Sequence, residues 1–382
     1  MGEYRRFSDF LKQLKAKDPQ ANPSFDSLQG FLFAKAKKNG IPSHGVFELT
    51  PLCNFDCKMC YTHLRRDQMQ GKELLTVDQW KGLMREAWEA GMISATLTGG
   101  ECLTYPGFKD LYLYLRSLGV LVNILTNGSL LDESWVRFFE EHQPTYFSIT
   151  LYGGDEDTYE RVTGQRKFAA VSENIRRLMA AGIHVKLSVT PSKYMGEGVY
   201  DTVRAAASFG APYMVNSILF DPHEETGRSG QDHDLDMESY ARILRLVNEL
   251  KGLETREVDP ETLPPPGGSC HEISKYGLPC RAGRCNFTIE WDGTLIPCSS
   301  IREFSAKPLE QGFGPAWDSV RRQCGQWPQT PECMECPYHP VCVSCPVLRS
   351  QSAGPGKQPL AICERTRYLV QRGVYAIQEC EE

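Results

Sequence analysis

The sequence predicts an α/β fold, a partial (β/α)6 TIM barrel followed by a smaller cysteine-rich domain. Two observations support this. Short apolar runs alternate with longer amphipathic segments through the first two thirds of the chain, which is typical of repeated βα units. Eleven of the 15 cysteines follow residue 267, so the last third has a different composition. With 382 residues the chain is long enough for two domains.

The barrel strands are predicted from apolar runs, and the helices from their end signals. Thr76 and Gln79 form a capping-box pattern, and Gly91, Gly182 and Gly210 stand where helix C-caps belong. The periodicity also leaves open a doubly wound open sheet. The six predicted strands are 46–50, 95–98, 121–126, 146–151, 185–190 and 213–219.

The predicted division of the chain follows from these patterns. An amphipathic helix is expected over 237–250, and the prolines and glycines after it interrupt regular structure. The predicted parts are an N-terminal helical segment (1–45), the barrel (46–258), a linker (259–267) and the cysteine-rich domain (268–382).

Composition excludes several classes of protein. A net charge of −6 gives no basic surface for nucleic acid, and no apolar run reaches the roughly 20 residues that span a bilayer. The first residues lack a signal-peptide pattern, so a cytoplasmic location is expected. In that reducing compartment, 15 cysteines favour metal ligation over disulfides.

A cysteine triad follows the first predicted strand. Cys53, Cys57 and Cys60 have C-x3-C-x2-C spacing, and barrel chemistry resides at the carboxyl ends of the strands. Three thiolates can ligate three irons of a 4Fe-4S cluster and leave the fourth iron open to a small molecule. A zinc site with His63 as fourth ligand is the alternative.

This triad resembles the signature of the radical S-adenosylmethionine (radical SAM) superfamily. The resemblance implies that the open iron chelates S-adenosyl-L-methionine. An electron from the cluster then releases a 5′-deoxyadenosyl radical, which takes a hydrogen atom from the substrate.

Further motifs resemble the SAM site of that family. Gly99, Gly100 and Glu101 end the second strand and resemble the GGE motif that holds the SAM amino group, although Cys102 stands where proline is usual. The resemblance implies additional SAM contacts on later strands and helices: Asn127 in a TNG motif, Ser148, Thr150, Arg161 and Ser188.

The C-terminal cysteines resemble a SPASM domain, which binds two auxiliary clusters, and thus three 4Fe-4S clusters in all. One departure is the two residues between Cys342 and Cys345, where three are usual. By this resemblance Cys280, Cys285, Cys298 and Cys345 ligate the first auxiliary cluster, and Cys333, Cys336, Cys342 and Cys363 the second. Two structural zinc sites would use the same residues. Cys102, Cys270, Cys324 and Cys380 are left without a role.

The resemblance implies a peptide-modifying enzyme that forms thioether or carbon crosslinks. A formylglycine-forming reaction is less favoured, because Ser299 stands where sulfatase maturases have a catalytic Asp. Flavodoxin or ferredoxin is the expected electron donor, and leader recognition would need a separate protein or the barrel surface. Two alternatives remain: a small-metabolite substrate, and a non-catalytic iron-sulfur or zinc protein.

Overall fold

The computed structural model describes most of the chain. The described residues are 25–62, 64, 66–216, 219–221, 234–253, 277–278, 280–328, 330–342 and 345–374. The predicted linker, Cys270 and Cys380 lie outside them, as does His63.

The first two thirds of the chain form alternating strands and helices. A helix, α1 (Phe25–Asn39), precedes the first strand. The units that follow are β1 (His44–Glu48), α2 (Val77–Glu89), β2 (Ser94–Thr98), α3 (Phe108–Ser117), β3 (Leu121–Thr126), α4 (Glu133–Glu141), β4 (Tyr146–Leu151), α5 (Glu156–Thr163), α6 (Phe168–Ala180), β5 (Val185–Val189), α7 (Gly198–Ser208), β6 (Tyr213–Val215) and α8 (Met237–Leu250).

The order of the strands confirms the partial barrel. The strands β1 to β6 pair in parallel and in sequential order, so each strand lies beside the one that follows it in the chain. A doubly wound sheet reverses its order at a switch point, and this sheet has no such reversal in its six barrel strands. The doubly wound alternative is therefore wrong.

The predicted end of the sixth strand is also wrong. The strand stops at Val215, whereas the prediction extended it to Leu219. Its neighbour β5 pairs with it only through Val189, where β5 itself ends. Since β6 is an edge strand and β5 is its single neighbour, its backbone has no strand to pair with beyond the end of β5.

The cysteine-rich region contributes to the same sheet. Its first described strand, β7 (Asn286–Ile289), pairs in parallel with β1 and forms an antiparallel pair with β8 (Leu295–Ile296). The ring of Phe287 lies 6.0 Å from that of Phe47 on β1. The two predicted domains therefore share one sheet and one apolar core.

Short helices complete the C-terminal region. They are α9 (Pro308–Gln311), α10 (Phe313–Cys324), α11 (Pro331–Met334), α12 (Pro346–Ala353) and α13 (Leu360–Gln371). Among the described residues, no helix is long and apolar enough to cross a bilayer.

The helix end signals are confirmed. Thr76 caps α2 with a complete capping box to Gln79. Gly91, Gly182 and Gly210 have φ values of 112°, 72° and 70° in the turns that follow their helices, a region that glycine adopts without a steric penalty.

Strand β4 shows how the barrel presents polar groups inward. Phe147, Ile149 and Leu151 are fully buried, and the Phe147 ring packs 4.9 Å from Phe139 on helix α4. Because side chains alternate along a strand, Ser148 and Thr150 share the opposite, inner face. The predicted site residues of this strand thus line the barrel interior.

Candidate active site at the carboxyl edge of the barrel

The three cysteines of the triad lie on one loop directly after β1. The backbone N–H of Asp56 donates to the Thr163 carbonyl (3.1 Å), which ties this loop to the end of α5. Within the loop, the Cys60 amide donates to the Cys57 carbonyl (3.0 Å) and the Phe55 amide donates to Cys53 Sγ (3.4 Å). The loop is therefore held at the carboxyl edge of the barrel, where catalytic groups of such folds reside.

The thiols of the triad influence one another. Burial raises the pKa of Cys53 to about 12, with further contributions from Glu101 and Cys60. Burial also raises the pKa of Cys57 well above its usual value, and the charges of Cys60 and Cys53 add to this effect. Bound iron would supply the positive charge that stabilises three such thiolates. This donor set fits the three protein-bound irons of a 4Fe-4S cluster.

The arrangement of ligating groups bears on the zinc alternative. Across the described ranges, no three Cys, His, Asp or Glu side chains are grouped to hold a single metal ion. His63, the fourth ligand in the zinc alternative, is not among the described residues.

Gly99 and Gly100 bring the end of β2 against the cysteine loop. The Gly100 amide donates to the Thr50 carbonyl (2.6 Å), and the Glu101 amide donates to the Leu52 carbonyl (2.9 Å). A Cβ atom at Gly99 would lie 2.3 Å from the Thr50 oxygen, and one at Gly100 would lie 2.4 Å from the Leu52 oxygen. Only glycine allows this backbone approach, so the motif shapes the loop that bears the triad.

The carboxylate of Glu101 is buried and bound within the protein. It accepts hydrogen bonds from the Thr126 hydroxyl (2.8 Å), the Asn127 amide (2.8 Å) and the Leu103 amide (3.1 Å). Burial raises its pKa, and these hydrogen bonds oppose the rise. The carboxylate thus joins the end of β2 to the end of β3, and its contact with the SAM amino group stays a prediction.

The Asn127 side chain uses its full hydrogen-bonding capacity. Its Nδ2 donates to Asn54 Oδ1 (2.8 Å) and to Cys53 Sγ (3.7 Å). Its Oδ1 accepts from the amide and the hydroxyl of Ser129 (2.9 and 2.7 Å). In this structure Asn127 therefore positions a cysteine of the triad, and its contact with SAM stays a prediction.

The other predicted SAM contacts lie at the same edge. Ser188 pairs with Thr150 across β4 and β5, and its hydroxyl accepts from Asn216 Nδ2 (2.9 Å). Arg161 is exposed on α5, where its Nη2 donates to the Thr158 hydroxyl (2.9 Å) and the Met195 carbonyl (3.2 Å). These residues, with Ser148, remain predicted contacts.

The structure brings the predicted ligands of the second auxiliary cluster together. The lining of a single cavity includes Cys333, Cys336, Cys342 and Cys363. The Thr366 hydroxyl, on α13, contacts the Cys342 sulfur at 3.5 Å. Four thiols around one cavity are the donor set that a fully ligated cluster requires.

The predicted ligands of the first auxiliary cluster are only partly together. Burial raises the pKa of Cys298 to about 12, and the charges of Cys280 and Cys345 contribute, so these three thiols are neighbours. Cys285 is fully buried, and its main interactions are with Arg281 and Ser43.

Cys324, which had no predicted role, lies beside this group. Burial raises its pKa to about 12, with contributions from Cys280 and Cys298. Its sulfur also lies close to Gly283, in the turn between Cys280 and Cys285. The structure thus offers two thiols, Cys285 and Cys324, for the fourth position.

One carboxyl group and one phenol lie between the triad and the first auxiliary site. The pKa of Glu48 is raised to about 7, chiefly by burial, while a hydrogen bond with Ser299 opposes the shift. Tyr61 is half-buried and interacts electrostatically with Glu48, Cys60 and Cys298. The triad loop and the Cys298 loop therefore face each other across these side chains.

The structure also accounts for Cys102. Its side chain is fully buried, and its Sγ donates to the Leu125 carbonyl at 3.2 Å. A small buried thiol of this kind fills the position between β2 and β3 as a packing residue.

Several residues of the site were not found from the sequence. They depend on side-chain contacts between segments far apart in the chain, which periodicity and spacing do not reveal. Asn54 follows directly after Cys53 and Ser129 directly after the TNG motif, so closeness to a motif was the available signal. The residues are Glu48, Asn54, Tyr61, Ser129 and Asn216.

The barrel region of the chain matches a known protein family. Residues 47–204 match the model of the Radical SAM superfamily, so this chain contains a radical SAM domain. The matched region runs from β1 into α7 and includes the triad, the glycine motif and Asn127.

Curated proteins with similar sequences include several named for peptide maturation. The sporulation killing factor maturation protein SkfB of Bacillus subtilis is 27% identical over 265 residues, 68% of this chain and 60% of SkfB. The PqqA peptide cyclase of Streptomyces rochei is 27% identical over 150 residues, 39% of this chain and 41% of the cyclase. The subtilosin biosynthesis protein AlbA of B. subtilis is 25% identical over 174 residues, 45% of this chain and 38% of AlbA. The alignments thus span less than two thirds of these relatives.

Solved structures with the same fold cover more of the chain. Streptococcus suis SuiB bound to precursor peptide SuiA has a TM-score of 0.66 at 18% identity, covering 94% of this chain and 88% of SuiB. Native anSMEcpe with bound AdoMet has a TM-score of 0.66 at 15% identity, covering 87% of this chain and 96% of that protein. At these identities the likeness shows the fold.

Proposed function

We propose that this protein is a radical SAM enzyme that modifies a peptide, forming a thioether or carbon crosslink during the maturation of a ribosomally made peptide. The observation that carries the proposal is the triad of Cys53, Cys57 and Cys60 on the loop after β1, within the matched radical SAM domain. The cluster and SAM, when bound, supply a 5′-deoxyadenosyl radical that removes a hydrogen atom from the substrate.

Different residues at this edge of the barrel would have different roles. The triad would hold three irons and leave one iron for SAM. Gly99 and Gly100 keep the end of β2 close to the loop, and Asn127 donates to the sulfur of Cys53. The polar inner faces of β4 and β5 would bind SAM through Ser148 and Ser188.

Two auxiliary clusters are part of the proposal. The cavity among Cys333, Cys336, Cys342 and Cys363 supports the second of them. The grouping of Cys280, Cys298 and Cys345 supports the first, with Cys285 as the fourth ligand on the basis of the resemblance to a SPASM domain. Clusters without an open iron would carry electrons, and flavodoxin or ferredoxin would supply the reducing electron.

The names of several relatives support a peptide substrate. SkfB is a maturation protein, and the PqqA relative is a peptide cyclase. SuiB, which shares the fold, was solved with its precursor peptide. A separate leader-binding protein is proposed as a further partner.

One relative favours a second candidate function. The AdoMet-dependent heme synthase of Methanosarcina barkeri is 27% identical over 208 residues, 54% of this chain and 58% of the synthase. The second candidate is therefore modification of a small metabolite by the same radical chemistry.

Turnover assays separate the candidates. Under anaerobic conditions with dithionite, wild type should form 5′-deoxyadenosine, and a Cys53, Cys57 and Cys60 triple alanine variant should not. Short peptides encoded beside the gene would then be added. A crosslinked product, seen as a mass decrease equal to the lost hydrogens, supports the peptide function. If the rate of SAM cleavage is unchanged by every such peptide and rises with a small-molecule extract, the second candidate is supported.

A further inference from the structure

A buried arginine lies at the cavity of the second auxiliary site. Arg349 is 9% exposed and lines the cavity together with Cys333, Cys336, Cys342 and Cys363. Among the residues that the structure describes, its Nε is buried without a hydrogen-bond partner. A buried guanidinium is costly unless a negative charge compensates it. The cavity is thus built for an anionic occupant.

The charge of Arg349 acts on thiols of this cavity. Burial raises the pKa of Cys333 and Cys363, and the charge of Arg349 opposes the rise at both. The charge of Arg367 also opposes it at Cys363, but Arg367 is exposed, so solvent screens its charge. The buried Arg349 is therefore the cation that the second predicted cluster would meet without such screening.

We propose that Arg349 is a positioning residue whose positive charge compensates the second auxiliary cluster and raises its reduction potential. The proposal rests on the proposed function, because it requires a cluster at that site. A 4Fe-4S cluster with four thiolates has a net negative charge that grows on reduction, so a nearby fixed cation favours the reduced state.

The test removes the charge and then restores it. Arg349→Met and Arg349→Lys are made in the full-length Cys53, Cys57 and Cys60 triple alanine background, so that only auxiliary clusters contribute to the EPR signal. The control is Arg367→Met, which removes an exposed charge at the rim of the same cavity. Iron content is measured on each variant, followed by an EPR-monitored redox titration.

The expected result is a downward shift of the second auxiliary cluster's potential in Arg349→Met. At the potential where half of that cluster is reduced in the parent protein, the ratio of reduced to oxidised cluster should fall at least tenfold, or about 59 mV for one electron. Arg349→Lys should restore most of the ratio, and Arg367→Met should change it less because solvent screens that charge. Iron loss in Arg349→Met that Arg349→Lys prevents also supports the proposal.

Other results overturn it in distinguishable ways. Normal iron with unchanged potentials in Arg349→Met would overturn the role of Arg349 alone. Iron loss in both Arg349→Met and Arg349→Lys would show that shape rather than charge matters there, which also overturns it. A parent protein with zinc or without iron would overturn the proposed cluster sites and this proposal with them.

Discussion

Loss of the Asn127 side chain is expected to alter the triad cluster without removing it. In Asn127→Ala, Cys53 loses the N–H···S hydrogen bond, while its thiol and backbone remain. Hydrogen bonds to ligand sulfurs raise the reduction potential of iron-sulfur clusters, because they stabilise the more negative reduced state. The potential of this cluster should therefore fall, and SAM cleavage should slow.

The size of both effects follows from the contacts. Three bonds of ordinary length are lost, one to Asn54 and two to Ser129, at roughly 1 kcal/mol each. Because Asn54 is exposed and regains water, the free energy of unfolding should fall by about 2 kcal/mol. If the sulfur bond gains about 1 kcal/mol on reduction, its loss lowers the potential by about 40 mV.

The assay compares Asn127→Ala with Ser129→Ala. The serine variant loses the hydroxyl bonds to Asn127 and Asn54 but keeps the donor to the Cys53 sulfur. Both variants should lose stability in anaerobic denaturation, and only Asn127→Ala should shift the EPR midpoint potential of the SAM-binding cluster. Equal potentials in the two variants would refute the reasoning.

Three further predictions concern a buried acid, a tight glycine and an undecided ligand. In the folded protein the pKa of Glu48 is about 7, against a usual value of 4.5. Burial of this group therefore costs no stability below pH 4.5, but the cost grows as the pH rises to 7, where it is about 3 kcal/mol. Glu48→Gln should abolish this pH-dependent loss of stability in anaerobic denaturation, and an unchanged pH profile would contradict the prediction. Gly99 has φ 145°, and a new Cβ would lie 2.3 Å from a carbonyl oxygen, so Gly99→Ala should lower the free energy of unfolding by at least about 2 kcal/mol and reduce the iron bound by the triad. Gly119→Ala, in open space, should lower it by only about 1 kcal/mol. Equal losses of stability in the two variants would argue against the close approach at Gly99. Cys285→Ser should lose the iron of the first auxiliary cluster and Cys324→Ser should retain it, as measured by iron analysis and EPR; the reverse would assign the fourth ligand to Cys324.

The strands and the helix ends could be predicted because they depend on local signals. β3 and β4 have the predicted bounds, and the capping box at Thr76 is present. The partial barrel followed from the order of these units. The end of β6 could not be predicted, since it depends on where its neighbour β5 stops.

Contacts between segments that are far apart in the chain could not be predicted from the sequence. The pairing of β7 with β1 joins residues more than 200 positions apart, and no periodicity indicates such a partner. The same holds for Asn127. Its motif suggested a contact with SAM, but its side-chain Nδ2 contacts the sulfur of Cys53. The resemblance to a SPASM domain placed Cys285 in a ligand set, whereas Cys324 approaches that set through the packing of α10.

The iron content of the triad variant tests the central claim most directly. Anaerobically purified wild type and the Cys53, Cys57 and Cys60 triple alanine variant would be compared by iron and sulfide analysis, EPR, and 5′-deoxyadenosine formation under dithionite. About twelve irons per chain falling to about eight, with SAM cleavage lost, is the predicted result. Zinc in place of iron, or equal SAM cleavage by both proteins, would contradict the account.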